Sequence, residues 1–80
     1  APSTLPQRPR RITMRERLEL QALEKEIEVG ELRRAEIEAL LAEAGSDFVR
    51  TRTLCDELHA LGTRLDQAME RWTVLSDLPH

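Results

Sequence analysis

Residues 54–75 read LCDELHALGTRLDQAMERWTVL, and they decide the fold. Apolar side chains recur here at alternating spacings of four and three residues, at Leu54, Leu58, Leu61, Leu65, Ala68, Trp72 and Leu75. This spacing is the heptad seam of a helix that packs along another helix. Because a narrow apolar stripe is stable in water only when it is covered, a second helix is required.

The second helix is predicted upstream, over about residues 14–44. Thr13 and Glu16 form a Thr-x-x-Glu capping box at its start, and residues 45–47 (Gly-Ser-Asp) supply a stop followed by a new cap. Its seam residues are Leu20, Leu23, Ile27, Ile37, Leu41 and Ala44, interrupted by Gly30 and Arg34. The residues expected to broaden this apolar face are Leu18, Val29, Leu32 and Leu40.

The predicted fold is all-α, a two-helix antiparallel coiled-coil hairpin. A turn over about residues 45–48 leads into a second helix over about residues 49–77, and so short a turn requires antiparallel helices. Residues 12–80 are assigned to this coiled-coil C-terminal domain. Residues 1–11 carry three prolines and several arginines, and they are predicted to be a basic linker.

Folding the two seams about the turn gives a register. The predicted pairs are Leu41 with Thr51, Ile37 with Leu54, Ile27 with Leu65, Leu23 with Ala68, and Leu20 with Trp72. Gly30 then lies opposite Gly62, and this level is either a close approach of backbones or a soft point. We favour the soft point, since each glycine costs up to ~1 kcal/mol of helix propensity. Trp72 is interpreted as a core anchor, and Cys55 as a half-buried residue beside the seam.

Length and composition exclude several functions. Eighty residues, 34% of them charged, suit one small helical domain and are too few for a buried enzyme core. No apolar run approaches the roughly 20 residues of a membrane span, and no signal peptide is recognisable, so the chain is predicted to be soluble and cytoplasmic. Without a nucleophile beside a base, a phosphate-binding glycine loop, or metal-ligand spacing around His59, we expect no catalysis, cofactor or metal site.

Basic charge is concentrated at the two ends of the predicted hairpin. The first seventeen residues carry five arginines and one glutamate, whereas residues 18–44 carry eight glutamates against three basic residues. Arg50 and Arg52 lie near the turn. Because the planar guanidinium forms two hydrogen bonds to one phosphate, the arginine-rich ends are suited to a nucleic-acid backbone, and they are the sole support for such binding in a composition with a net charge of −3. The alternative is that the charges only keep a coiled coil in solution.

Several segments follow the pattern of one protein family. They are ITMRE at 12–16, LQALEKEI at 20–27, Phe48 after the turn, and AMERW at 68–72 in register with the seam. With them the chain resembles the C-terminal coiled-coil domain of bacterial Uup-type ABC-F ATPases, and the Glu-Arg-Trp ending is the most specific part. The chain departs from the family at Met14 and Met69, where tyrosine is frequent, at Gly30, and in a shorter segment after Phe48.

The resemblance implies a hairpin attached to a soluble protein with two tandem ATP-binding cassettes. It implies DNA binding for this domain, and work on branched DNA intermediates, transposon excision or the ribosome for the full protein. ATP and Mg belong to the cassettes, so this chain needs no cofactor of its own and is expected to be non-catalytic. Arg15 and Arg71 occupy basic positions of the family pattern.

We therefore expect a DNA-binding domain without sequence specificity, monomeric and independent of membranes. The predicted nucleic-acid-binding residues are Arg8, Arg10, Arg11, Arg15, Arg17, Arg50, Arg52 and Arg71. The two ends are on the order of 40 Å apart, so one hairpin reaches two duplex arms or two RNA elements. Two alternatives stay open: a module that faces the ribosome or rRNA, and a structural or protein-docking coiled coil that binds no nucleic acid.

Overall fold

The computed structural model describes residues 10–79, which form two long helices. Helix α1 spans Met14–Ala44 and helix α2 spans Phe48–Ser76, and the two pack against each other along their length. The predicted all-α antiparallel hairpin is confirmed. Helix α2 begins at Phe48 because Asp47 caps it, with its Oδ1 accepting a hydrogen bond from the Arg50 N–H at 3.0 Å. Residues 1–9, among them Arg8, and His80 lie outside the described residues.

The capping box predicted at the start of α1 is present. The Glu16 N–H donates to Thr13 Oγ1 at 3.1 Å, and the Thr13 N–H donates to Glu16 Oε1 at 3.1 Å. At the other end α1 stops at Gly45, whose φ of 59° lies in the left-handed region that glycine adopts without a steric cost. Both ends of α1 are therefore specified by local sequence, as the capping and stop signals indicate.

The core consists of two clusters along the helix interface. The cluster nearer the turn contains Ile37, Leu54, Leu61 and Leu65, and the cluster at the open end contains Ile12, Leu20 and Leu75. The open end is closed by a backbone hydrogen bond in which the Ile12 N–H donates to the Pro79 carbonyl at 2.8 Å. The chain segments that enter and leave the hairpin are thereby joined.

Gly30 is a packing site, and its interpretation as a soft point is wrong. A Cβ atom at Gly30 would lie 2.4 Å from Cδ2 of Leu65, a side chain that is only 1% exposed. Leu65 therefore fills the space left by the missing Gly30 side chain. Gly62, in contrast, has no neighbouring atom within 4 Å of a Cβ position.

This difference between the two glycines gives a first prediction. Gly62→Ala should raise the free energy of unfolding by about 0.5–1 kcal/mol, because alanine is the better helix former and the space is open. Gly30→Ala gains the same propensity but forces Leu65 aside, and overpacking costs about 1–3 kcal/mol, so we expect a net loss of about 1 kcal/mol. Urea denaturation of both variants measures the two effects, and equal stabilisation would contradict the packing at Gly30.

Two further burial predictions are wrong. Trp72 is 37% exposed and lies at the edge of the interface, because Leu75 occupies the buried position in the cluster that contains Leu20. The Trp72 indole N–H does reach a partner, donating to Glu24 Oε1 at 3.3 Å. Cys55 is exposed rather than half-buried.

The apolar residues beside the seam of α1 do not all broaden the interface. Leu40 packs against the core, but Leu18, Val29 and Leu32 are exposed, Leu32 to 67%. At 3.6 residues per turn these three lie roughly 140° around α1 from the seam, so they face away from α2. The exposed row that contains them is called the outer stripe, and it consists of Leu18, Ala22, Lys25, Val29, Leu32, Glu36, Ala39 and Glu43.

Candidate nucleic-acid interface

The arginines in the middle of the hairpin are held by carboxylates. Arg33 binds Glu57 across the helix interface through two hydrogen bonds of 2.6 and 2.9 Å, and it also contacts Glu36 on its own helix. Arg34 lies 3.6 Å from Glu31. These contacts neutralise the middle arginines within the hairpin.

Two arginines at the open end are also ion-paired. Arg10 makes a two-pronged contact with Glu16 at 2.5 and 2.6 Å, and Arg71 makes another with Glu19 at 2.7 and 3.0 Å. Both were predicted to bind phosphate. In this structure their guanidinium groups instead join the start of α1 to the preceding segment and to α2.

The remaining predicted arginines within residues 10–79 are exposed. They are the basal arginines Arg11, Arg15 and Arg17 at the open end, and the tip arginines Arg50 and Arg52 beside the turn. None of these five has a carboxylate within ion-pair distance among residues 10–79. Arg64 in α2 shares this property. Five unpaired arginines therefore lie at the two ends of the hairpin, and two unpaired cations, Lys25 and Arg64, lie along its length.

The two groups are far apart because the whole length of helix α1 lies between them. Helix α1 has 31 residues, so its ends are separated by about 46 Å at a rise of 1.5 Å per residue. A single phosphate backbone segment does not contact both groups without following the acidic length of α1. The structure thus presents two separate basic ends, as the charge pattern predicts.

The tip carries an aromatic residue that the sequence reasoning did not count as functional. Phe48 is 85% exposed at the first position of α2, and the neighbouring Val49 is also exposed. Phe48 and Arg52 are four residues apart and so share a face of α2. The signal was available, since the cap at Asp47 fixes Phe48 at the outermost turn of the helix, beyond the reach of α1.

Ion pairing lowers the pKa of several carboxyl groups. Hydrogen bonds from the Arg10 guanidinium, and next from the Thr13 backbone, lower the pKa of Glu16 from 4.5 to about 2. The Arg71 guanidinium lowers the pKa of Glu19, and the Arg33 guanidinium lowers that of Glu57. These glutamates therefore stay ionised in the folded chain at pH values where free carboxyl groups accept protons.

The Glu16 pKa predicts an acid-sensitive open end. Since the folded pKa is depressed, the Glu16 contribution to stability is complete above about pH 4.5 and is lost as the pH falls toward 2. Glu16→Gln should lower Tm at neutral pH and flatten the fall in Tm between pH 4.5 and 2. Thermal unfolding between pH 7 and 2 measures this pH dependence of Tm. The control is Glu38→Gln, which changes an exposed glutamate that has no ion pair among residues 10–79. Parallel profiles for Glu16→Gln and wild type would contradict the assignment.

The described residues contain no group of three or more His, Cys, Asp or Glu side chains placed to hold a metal ion. His59 is exposed. Neither α1 nor α2 is long and apolar enough to cross a membrane.

Comparison with known proteins agrees with the hairpin geometry. The ABC transporter C-terminal domain family matches residues 11–77. The chain is 34% identical over 67 residues to the uncharacterized ABC transporter ATP-binding protein YfmR of Bacillus subtilis (strain 168), covering 84% of this chain and 11% of that protein. No solved structure matches it significantly. The chain therefore belongs to the ABC transporter C-terminal domain family, and the resemblance to the C-terminal domain of ABC-F type ATPases is confirmed.

Proposed function

We propose that this hairpin binds nucleic acid with little sequence preference, and that DNA, including branched DNA, is its ligand. The observation that carries the proposal is the sorting of the arginines. Two of the three middle arginines, Arg33 and Arg34, are ion-paired and Arg64 is not, whereas all five basal and tip arginines are exposed without a carboxylate partner among residues 10–79. Unpaired guanidinium groups are the ones that bind phosphate without first losing an internal partner.

In this mechanism the basal arginines hold the phosphates of one nucleic-acid segment. The tip arginines contact a second segment, and the acidic length of α1 between them repels the backbone and keeps the two contacts apart. Arg10 and Arg71 contribute less, because each would exchange a two-pronged contact with Glu16 or Glu19 for a phosphate. Arg8 is retained as a candidate on charge alone.

The exposed aromatic ring at the tip supports a preference for branched DNA. Phe48 offers a flat apolar surface beside Arg52, and an aromatic ring next to a cation is the arrangement on which unpaired bases stack. Branch points expose unpaired or easily unpaired bases, whereas a linear duplex keeps them stacked. The tip arginines and Phe48 together therefore favour a junction over a continuous helix.

The chain spans about a tenth of the length of the relative it matches. We propose that the full-length protein is a cytoplasmic, Uup-like ABC-F ATPase in which tandem cassettes bind ATP and Mg and hydrolyse the nucleotide. In that arrangement this hairpin contributes binding and no catalysis. Its work on branched intermediates or in transposon excision is part of the same proposal.

A ribosome-facing role is the first alternative, since rRNA presents the same phosphates and unpaired bases to the two basic ends. Comparing affinities for branched DNA, linear DNA and rRNA fragments separates this role from DNA binding.

A protein-docking coiled coil is the second alternative, and the exposed leucines of the outer stripe favour it. If protein docking is the whole function, nucleic acid should bind this chain no more tightly than it binds any other polypeptide of equal charge.

The tip provides a direct test of the proposed function. Arg50→Ala/Arg52→Ala should reduce the log–log salt slope of binding to branched DNA by about 1.8, because each lost phosphate contact removes about 0.9. Fluorescence anisotropy over a salt series measures the slope. The matched control is Arg33→Ala/Arg34→Ala, which removes the same charge from the middle of the hairpin, with the helical fold of both variants checked by circular dichroism. Equal slope changes in the two double variants would mean that only total charge matters, and the two-ended mechanism would be wrong.

A further inference from the structure

The outer stripe of α1 is a second heptad seam. Its residues are Leu18, Ala22, Lys25, Val29, Leu32, Glu36, Ala39 and Glu43, which follow one another at alternating spacings of four and three. Every one of them is exposed, and α2 lies on the other side of α1. Single exposed leucines are ordinary on protein surfaces. A sustained spacing of four and three is instead the pattern of a helix that packs against another helix.

We propose that the outer stripe pairs two copies of this chain, with α1 of one copy antiparallel to α1 of the other. The charges of the stripe select this partner and this orientation. When Val29 of one copy faces Leu32 of the second, Lys25 of each copy faces Glu36 of the other. Ala22 then faces Ala39. These small residues follow the ion pairs toward each end of the interface and let the two helices approach closely.

The alternative orientation is unfavourable. In a parallel pair of α1 helices, equivalent positions face each other, so Lys25 would lie against Lys25 and Glu36 against Glu36 of the second copy. Like charges at facing seam positions repel and set partner choice in coiled coils. The antiparallel pair is also two-fold symmetric, which closes the assembly at two copies.

The side chains needed for this pairing are available. Lys25 has no ion-pair partner among the described residues. Glu36 contacts Arg33, but Arg33 also donates two hydrogen bonds to Glu57, so its charge is shared between two carboxylates. Glu36 consequently keeps negative charge for a second cation.

The length of the stripe sets the strength of the pair. Its apolar and ion-paired part, residues 22–39, extends about 27 Å along the helix. This is a small interface with few large apolar residues, so we expect a dimer that dissociates on dilution. The proposal replaces the expectation of a monomeric hairpin, and it does not depend on nucleic-acid binding.

Charge reversal tests the proposal through mixing. Lys25→Glu gives a chain whose seam is negative at both positions, and Glu36→Lys gives one that is positive at both. Each variant alone should repel its own copies and stay at 9.2 kDa at concentrations where the wild-type mass approaches twice that value. An equimolar mixture should form a dimer of one variant with the other, because residues 25 and 36 then carry opposite charges in both facing pairs. Sedimentation equilibrium over a dilution series measures the masses.

The mixture also controls for folding, since variants that fail only because they are misfolded are not rescued by each other. Two results would overturn the proposal. A wild-type mass of 9.2 kDa at every concentration would assign the outer stripe to another occupant. Single variants that dimerise like wild type, or a mixture that stays monomeric while wild type dimerises, would show that Lys25 and Glu36 do not face each other.

Discussion

Leu65→Ala should lower the free energy of unfolding by about 3–5 kcal/mol, the largest loss of stability expected from a single truncation in this chain. Truncating a buried leucine costs about 2–5 kcal/mol, and the cost rises with the cavity that remains. Leu65 is 1% exposed and lies over Gly30, which has no side chain to move into the gap. A two-helix hairpin of this size has little stability in reserve. Circular dichroism at 222 nm during urea denaturation measures the loss.

A double-mutant cycle isolates the contact behind this effect. In the Leu65→Ala background Gly30→Ala no longer meets a side chain, so it should raise stability by about 1 kcal/mol, opposite in sign to its effect in wild type. Leu18→Ala, at an exposed position of the same helix pair, is the matched control and should change stability by no more than about 0.5 kcal/mol in dilute solution. The same sign for Gly30→Ala in both backgrounds would contradict the packing described here.

Replacing the basal arginines Arg11, Arg15 and Arg17 by alanine should produce the largest loss of nucleic-acid binding. Three lost phosphate contacts reduce the log–log salt slope by about 2.7, compared with about 1.8 for the tip pair. The affinity for linear duplex should fall along with that for branched DNA, because the basal end contacts phosphates and not unpaired bases. Fluorescence anisotropy at a series of salt concentrations measures both quantities.

The matched control for the basal triple variant removes equal charge from the middle of the hairpin. Arg33→Ala/Arg34→Ala/Arg64→Ala lowers the net charge by the same amount. It should leave the slope close to that of wild type, because Arg33 and Arg34 are ion-paired and the unpaired Arg64 lies beside the acidic middle of α1, away from both ends. If the basal variant keeps the wild-type salt slope, the basal arginines are not the phosphate contacts. The same conclusion follows if the control variant loses as much of the salt slope as the basal variant does.

The parts of the fold that the sequence predicts are those fixed by local signals. The capping box at Thr13 and the stop at Gly45 define α1 because they act within one or two turns of the chain. The heptad spacing similarly defines which face of α2 is buried. A short turn between two such helices leaves the antiparallel hairpin as the arrangement that covers both seams.

The packing at Gly30 and Trp72 was harder to predict because it depends on shape complementarity across the interface. In the structure Leu65 occupies the space beside Gly30, and Leu75 is buried while Trp72 lies at the edge of the interface. Apolar spacing alone does not show which large side chain fills the space that a glycine leaves.

The candidate site was predictable in location and less so in detail. Clustering of arginines at the two ends is visible in the sequence, but the pairing of Arg10 with Glu16 and of Arg71 with Glu19 depends on side-chain geometry. The exposure of Leu18, Val29 and Leu32 follows from their spacing. Each is two residues from a seam position, about 200° around α1, which places it on the far side of the helix from α2.

The most direct test of the central claim is a salt titration of wild-type binding to a four-way DNA junction and to a linear duplex of equal length and composition. If the five unpaired arginines at the two ends bind phosphates, the log–log slope on the junction should approach about 4.5, and the junction should bind more tightly than the duplex at each salt concentration. No binding at low salt, or a slope below about 1 on both DNAs, would contradict the proposed function.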